Sequence, residues 1–212
     1  MNEDRFKNLW RRCRIDSRVA DPGSAFAVLV RHYGEPWRRY HTAEHLDACL
    51  LHFDSARDFI EEPDTVEIAL WYHDSIYDIR GADNEERSAE LFLETVKGAV
   101  EWSFCSRVRD LIMVTQHMDP PEQGDARYIV DIDLSSFGQE WDAFMADSRK
   151  VRAELTHLSD AEFNGSQLRF LRKLRDRQYF YSSEYFRTRY EDCARENLDR
   201  LLKLLESDQG LN

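Results

Sequence analysis

The chain has 212 residues, 42% hydrophobic and 12% aromatic, with 41 acidic against 29 basic side chains and a formal net charge of −12. That apolar content is ample for a packed core and for one domain over residues 1–212, while the acidic balance argues against a nucleic-acid polymer as partner, because phosphate contacts need clustered Lys and Arg. No run approaches the roughly 18–20 apolar residues that a bilayer crossing requires, and the charged start MNEDRFKNLWRRCR has no apolar stretch behind it, so the expectation is a cytoplasmic protein without membrane association.

Read in chain order, the sequence is punctuated as a series of helices. Ser24 is placed to cap an apolar helix through Phe26, Val28, Leu29 and Val30, ended by Gly34 and Pro36. Asp64 with Glu67, just after Pro63, has capping-box spacing and opens a segment through Leu70, Trp71 and Tyr72. Asp83 with Glu86 and Ser159 with Glu162 repeat the pattern. From Ser183 to Ser207, the residues Phe186, Tyr190, Cys193, Asn197, Leu201 and Leu204 or Leu205 recur at three- and four-residue spacing, which predicts a long amphipathic helix. Strand alternation is nearly absent, and the one β-leaning stretch, Tyr128 to Ile132, lacks a turn pair. The expected fold is all-α, a single bundle of about eight to ten helices, with loops near residues 34–40, 79–83 and 118–125. The long last helix leaves a monomer or a homodimer equally open.

Three short segments carry chemistry. In Tyr40-His41-Thr42-Ala43-Glu44-His45 two histidines stand four apart, so on a helix both rings share one face; alone this is a weak signal. In Trp71-Tyr72-His73-Asp74 a vicinal His-Asp follows an apolar run. A carboxylate buried there needs a cation or a set of donors, unless the helix simply emerges into solvent. In Val130-Asp131-Ile132-Asp133-Leu134 an acid again lies inside an apolar stretch, and either aspartate could point inward. Two imidazoles and two carboxylates suit a divalent ion such as Mn, Fe, Zn, Ni, Co or Mg. Cys13, Cys49, Cys105 and Cys193 are scattered singly and read as reduced thiols without a role.

The order His, His-Asp, Asp, with the surrounding YHTAEHL, WYHDSIYD, NEERSAE, DIDLSSFG and ARENLDRLL, resembles the HD superfamily of metal-dependent phosphohydrolases, from about Trp10 to Leu205. The resemblance implies metal ligands at His45, His73, Asp74 and Asp133, the last favoured over Asp131 because it stands just before Leu134. The first segment is also similar to the Tyr-His-Asn-x-x-His motif of cyclic-nucleotide phosphodiesterases, with Thr42 in place of Asn, which implies His41 as proton donor. Asp78, four residues after Asp74, resembles a paired acid in related hydrolases of guanosine tetraphosphate and would orient the attacking water if the helix continued; otherwise it caps a loop before Gly81. Glu85 and Glu86 are implied partners of the metal histidines, although a helix N-terminus favours acids anyway. His117 is either a further site residue or a helix-terminal histidine facing the dipole.

The implied substrate is a small phosphate ester, nucleotide or nucleotide-derived, cleaved by a metal-activated water. The alternatives are a di-iron oxygenase on the same fold, which needs further histidines, and a non-catalytic module binding metal or nucleotide.

Overall fold

A computed structural model describes residues 1–207; the last five positions of the expected domain, 208–212, lie outside the described residues. Among the described residues ten α-helices follow in order: α1 Glu3–Arg12, α2 Pro22–Tyr33, α3 Ala43–Ala56, α4 Pro63–Tyr72, α5 Asn84–Thr95, α6 Trp102–Met113, α7 Ala126–Asp133, α8 Trp141–Glu154, α9 Asp160–Arg175 and α10 Glu184–Glu206. There is no strand among the described residues, and the β-leaning stretch lies within α7. The molecule is therefore an all-α bundle. No described helix is long and apolar enough to cross a membrane.

Helix α4 is the axis of the bundle. Every residue from Thr65 to Tyr72 is buried, as a helix apolar on all sides must be. It packs against α1, α3, α5 and α6, while α3 also packs on α7 and α10 on α9. Trp71 meets Phe6 at 5.1 Å and Phe26 at 6.2 Å between ring centroids. The one acid in this run, Glu67, is 1% exposed. Its oxygens accept from Arg5 Nε at 2.7 Å and from Arg12 and Arg57.

Those ion pairs explain a departure from the sequence reading. Asp64 and Glu67 do not form a capping box; Glu62 occupies the N-cap of α4 without a side-chain bond. Asp64 instead accepts from Arg12 Nε at 2.8 Å, since charge-assisted bonds to guanidinium outcompete a neutral backbone N–H. Likewise α2 is capped by Asp21, which accepts from the Ser24 N–H at 2.7 Å, with Pro22 in the first turn. Asp83 occupies the N-cap of α5 without a side-chain bond. The Ser159–Glu162 capping box is formed in both directions, and Ser183 caps α10.

The long helix α10 is anchored by a buried amide. Asn197 Nδ2 donates to the carbonyls of Phe137 at 2.8 Å and Gln139 at 2.7 Å, fixing α10 on the 3-10 turn Leu134–Gly138 that follows α7. The approach is close: a Cβ at Gly138 would lie 2.8 Å from Tyr190 Cβ and 3.0 Å from the Tyr181 hydroxyl. Gly138→Ala is expected to cost about 1–3 kcal/mol by overpacking, seen as a lower urea midpoint with helix content by circular dichroism unchanged.

Candidate metal centre

The C-terminus of α4 is buried, so its terminal carbonyls need partners inside the protein. Tyr33 Oη donates to the Trp71 carbonyl at 3.2 Å, the Ser75 hydroxyl to Tyr72 at 2.8 Å, and the His73 ring, through Nδ1, to Leu70 at 2.8 Å. Arg38 completes the cap. Its buried guanidinium donates to the carbonyls of His41 at 3.0 Å, Asp74 at 2.6 Å and Ser75 at 2.9 Å, and to Glu35 at 2.9 Å. The chain is thereby turned off the helix axis at His73-Asp74, with both side chains aimed inward.

Four ligand atoms meet at that point. His45 Nε2 lies 3.3 Å from His73 Nε2, 3.1 Å from Asp133 Oδ1 and 3.5 Å from Asp74 Oδ2; His73 Nε2 lies 3.1 Å from Asp74 Oδ2 and 3.4 Å from Asp133 Oδ1. His45 comes from α3, His73 and Asp74 from the turn that follows α4, and Asp133 is the last residue of α7. A carbonyl only accepts, so His73 carries a proton on Nδ1, and its Nε2 is the nitrogen turned toward two carboxylates and another imidazole. Asp74 Oδ2 is buried with no hydrogen-bond donor. Such a cluster of acceptors is unfavourable unless a cation lies among them. These five separations of 3.1–3.5 Å are the spacing of ligand atoms that share an ion at about 2 Å, the bond length of metal ions to nitrogen and oxygen ligands. The residues fit a divalent metal.

Electrostatics agree with the geometry. Burial disfavours the Asp74 and Asp133 carboxylates, yet the neighbouring histidines outweigh it and hold both below the ordinary range. Burial likewise disfavours the His73 imidazolium, but Asp74 and Asp133 raise it well above the ordinary value.

A fifth group was missed in the sequence. Cys49, one turn after His45 on α3, places its Sγ 3.6 Å from His45 Nε2, and the ligand atoms of His45, Cys49, His73 and Asp133 all lie within 4.8 Å of one another. This buried group could hold a metal ion. Burial drives the Cys49 thiol far up, with Asp133 and Asp74 adding to it. The four-residue offset from a ligand histidine was the available signal; Cys49 was passed over because no second cysteine accompanies it.

Other expected site residues are distributed unequally. His41 is not on the helix with His45: Thr42 caps α3 by accepting from the Glu44 N–H, which leaves His41 in the preceding loop. The ring nevertheless stays near, 6.0 Å from that of His45 between centroids and stacked on Tyr77 at 3.9 Å. It is held by Glu154, a residue the sequence reading overlooked. Glu154 is 1% exposed at the end of α8. One of its oxygens accepts from the backbone N–H groups of Arg39, Tyr40 and His41 at 2.7–2.9 Å, and the other pairs with His41 Nδ1 at 2.7 Å. Burial disfavours this carboxylate, and His41 with the backbone donors outweighs that and keeps it below the ordinary range.

His117 belongs to the cluster rather than to a solvent-facing helix end: its Nε2 lies 2.8 Å from Asp133 Oδ2, and its Nδ1 is buried without a partner. Glu85 is half-buried and its carboxyl is raised by burial, with Asp74 and Asp133 contributing; Glu86 is exposed. Asp78 departs from expectation. Helix α4 stops at Tyr72, so no helical turn aligns Asp78 with Asp74. Its side chain is 51% exposed, accepting from the Arg80 N–H at 3.0 Å and lying 3.7 Å from Arg87.

Asp131 and Asp133 are separated by function. Asp131 is fully buried on the other side of α7, accepting from the backbone N–H groups of Ser182 at 2.8 Å and Ser183 at 2.7 Å. Burial pushes its carboxyl up to about 7 against the pull of those donors. It anchors the start of α10.

Beside the cluster opens a cavity of about 280 Å3, with His41, Tyr77, His117 and Asp133 at one end and side chains of α8, α9 and α10 around the rest. Comparison of the chain with protein-family models, with curated proteins and with solved structures gave no match.

The two aspartates of α7 give a paired prediction. Asp131→Ala strands two buried N–H groups and is expected to destabilise the fold by about 2–5 kcal/mol while leaving metal affinity per folded molecule unchanged. Asp133→Ala is expected to abolish metal binding with a smaller loss of stability in the metal-free protein. Chemical unfolding together with isothermal titration of the metal separates the two.

Proposed function

We propose that the protein is a metal-dependent phosphohydrolase of the HD type that cleaves a small phosphate ester, nucleotide or nucleotide-derived. The observation that carries this reading is the convergence of His45, His73, Asp74 and Asp133 on one point with a lone pair from each and an open cavity alongside. A divalent cation held there supplies a Lewis acid for a phosphoryl oxygen and lowers the pKa of a bound water toward neutrality. Resemblance of the motifs to HD phosphohydrolases supports hydrolysis over a purely structural metal. Asp78 has no part in this proposal, because it is turned to solvent.

The remaining work falls to the loop of His41. Glu154 takes the Nδ1 proton of His41 in a hydrogen bond, which leaves Nε2 to hold and deliver a proton to the departing oxygen. Arg38 and Glu154 together fix the loop, one through carbonyls and the other through N–H groups, so the ring is positioned before substrate arrives. Tyr77 closes one face of the ring. Glu85, on the first turn of α5, adds negative potential that favours cation binding. A second reading, with two ions instead of one, is favoured by His117 against the far oxygen of Asp133, and metal stoichiometry decides it.

The protein, purified and stripped with chelator, is expected to rebind a divalent ion from the series Mn, Fe, Co, Ni, Zn and Mg and to gain thermal stability on doing so. His73→Ala and Asp74→Ala are each expected to lower metal affinity by about 100-fold or more; unchanged affinity in both variants would remove the basis of the proposal. For the proton donor, Glu154→Gln retains an acceptor for the loop N–H groups but cannot accept from His41 Nδ1. It is expected to lower kcat about 100-fold, within the usual range for general acid catalysis, with KM and metal content close to wild type. His41→Gln is expected to match it, and the double variant to be no worse than either single one.

A further inference from the structure

The cavity beside the metal centre has a composition that bears on which ester it admits. Asp133, His41 and His117 stand at its inner end. Its walls are Phe144 and Val151 of α8, Phe163 and Phe170 of α9, and Leu201 of α10. No lysine or arginine lines it, and Asp147 adds a negative charge. Lys150, in the adjoining cleft, is already held by Asp147 at 3.1 Å and by Glu44 at 3.7 Å. Polyphosphate sites ordinarily surround each additional phosphate with cationic or backbone donors. A second phosphate here would meet aromatic walls and a carboxylate.

We propose that this cavity selects esters bearing a single phosphoryl group on a flat, mostly apolar ring system, and rejects di- and triphosphates. The volume of about 280 Å3 lies near the lower end of the roughly 300–1000 Å3 typical of small-molecule sites, which accommodates one ring system and one phosphate. Aromatic side chains offer a ring offset-stacked or edge contacts. Gln167 and Ser148, also in the lining, add hydrogen-bonding groups for a polar edge of that ring. In the reaction, the P–O bond to the ring-bearing oxygen breaks and a bond from a water oxygen to phosphorus forms. One water proton is released to the site, and the leaving oxygen gains a proton from His41, so the products are inorganic phosphate and the free alcohol or phenol.

This inference rests on the phosphohydrolase reading for its chemistry but not for its binding test, which keeps the two separable. Full-length protein loaded with Mn or Co is assayed with 1-naphthyl phosphate, glycerol 2-phosphate and a nucleoside triphosphate, and binding of 1-naphthol is followed by ligand-observed NMR with and without metal. The ring ester is expected to exceed the other two in kcat/KM by about 30-fold or more, the scale of one buried ring, and 1-naphthol to bind the metal-free protein. Phe170→Ala, on a half-buried wall residue, is expected to weaken 1-naphthol about tenfold with an unchanged circular dichroism spectrum. If 1-naphthol fails to bind, or if glycerol 2-phosphate or the triphosphate turns over as well as the ring ester, the cavity assignment is overturned while hydrolysis stands. If no ester turns over with any ion while 1-naphthol binds and Phe170→Ala weakens it, the cavity assignment stands and the hydrolase reading falls.

Discussion

A helix that ends inside a protein must find partners for its last carbonyl groups, and much of this molecule is arranged around that requirement at the end of α4. Tyr33, Ser75, the His73 ring and the buried guanidinium of Arg38 share the task. Each partner also does something else. The His73 ring, by donating from Nδ1, has its other nitrogen committed to the cluster as a lone pair. Arg38, by spanning Asp74, Ser75 and His41, joins the turn that carries His73 and Asp74 to the loop that carries His41. Capping the helix and orienting the site are one set of bonds.

The cluster is an acceptor-rich point within a chain of net charge −12. Asp74, Asp133 and the half-buried Glu85 are concentrated around two histidines, and the potential there favours a cation strongly. The same potential disfavours an anion there unless a cation is bound. The aromatic-lined cavity opens directly beside this point.

Much of this was legible in the sequence because it depends on local pattern. The all-α class follows from helix periodicity, and the long α10 was visible in the three- and four-residue spacing of its apolar positions. His73 and Asp74 stood out because polar groups at the end of an apolar run need a reason to be there. What was hidden depends on distant partners. Glu154 is an ordinary acid in a charged helix until the chain brings it to the loop at residues 39–41, 113 positions earlier than itself in the case of His41. Asp64 and Glu67 have capping-box spacing, and the approach of Arg5 and Arg12 from α1, together with Arg57, diverts them. For Asp78 the sequence allowed a continued helix or a loop cap before Gly81; α4 ends at Tyr72 and the side chain accepts from the Arg80 N–H, as a loop cap does. Asp131 and Asp133 are adjacent-but-one, and the backbone of residues 182 and 183 decides which is structural.

The long separation between His41 and Glu154 has a consequence for how the site comes into being. His45 and His73 are 28 residues apart and His45 and Asp133 are 88 apart, whereas His41 and Glu154 are 113 apart. Closing a longer loop costs more entropy, and contacts of greater span form later. In the order of synthesis every member of the buried cluster precedes Glu154, so the residue that holds the His41 loop is the last of the set to emerge, and the loop is the last part of the site to be fixed.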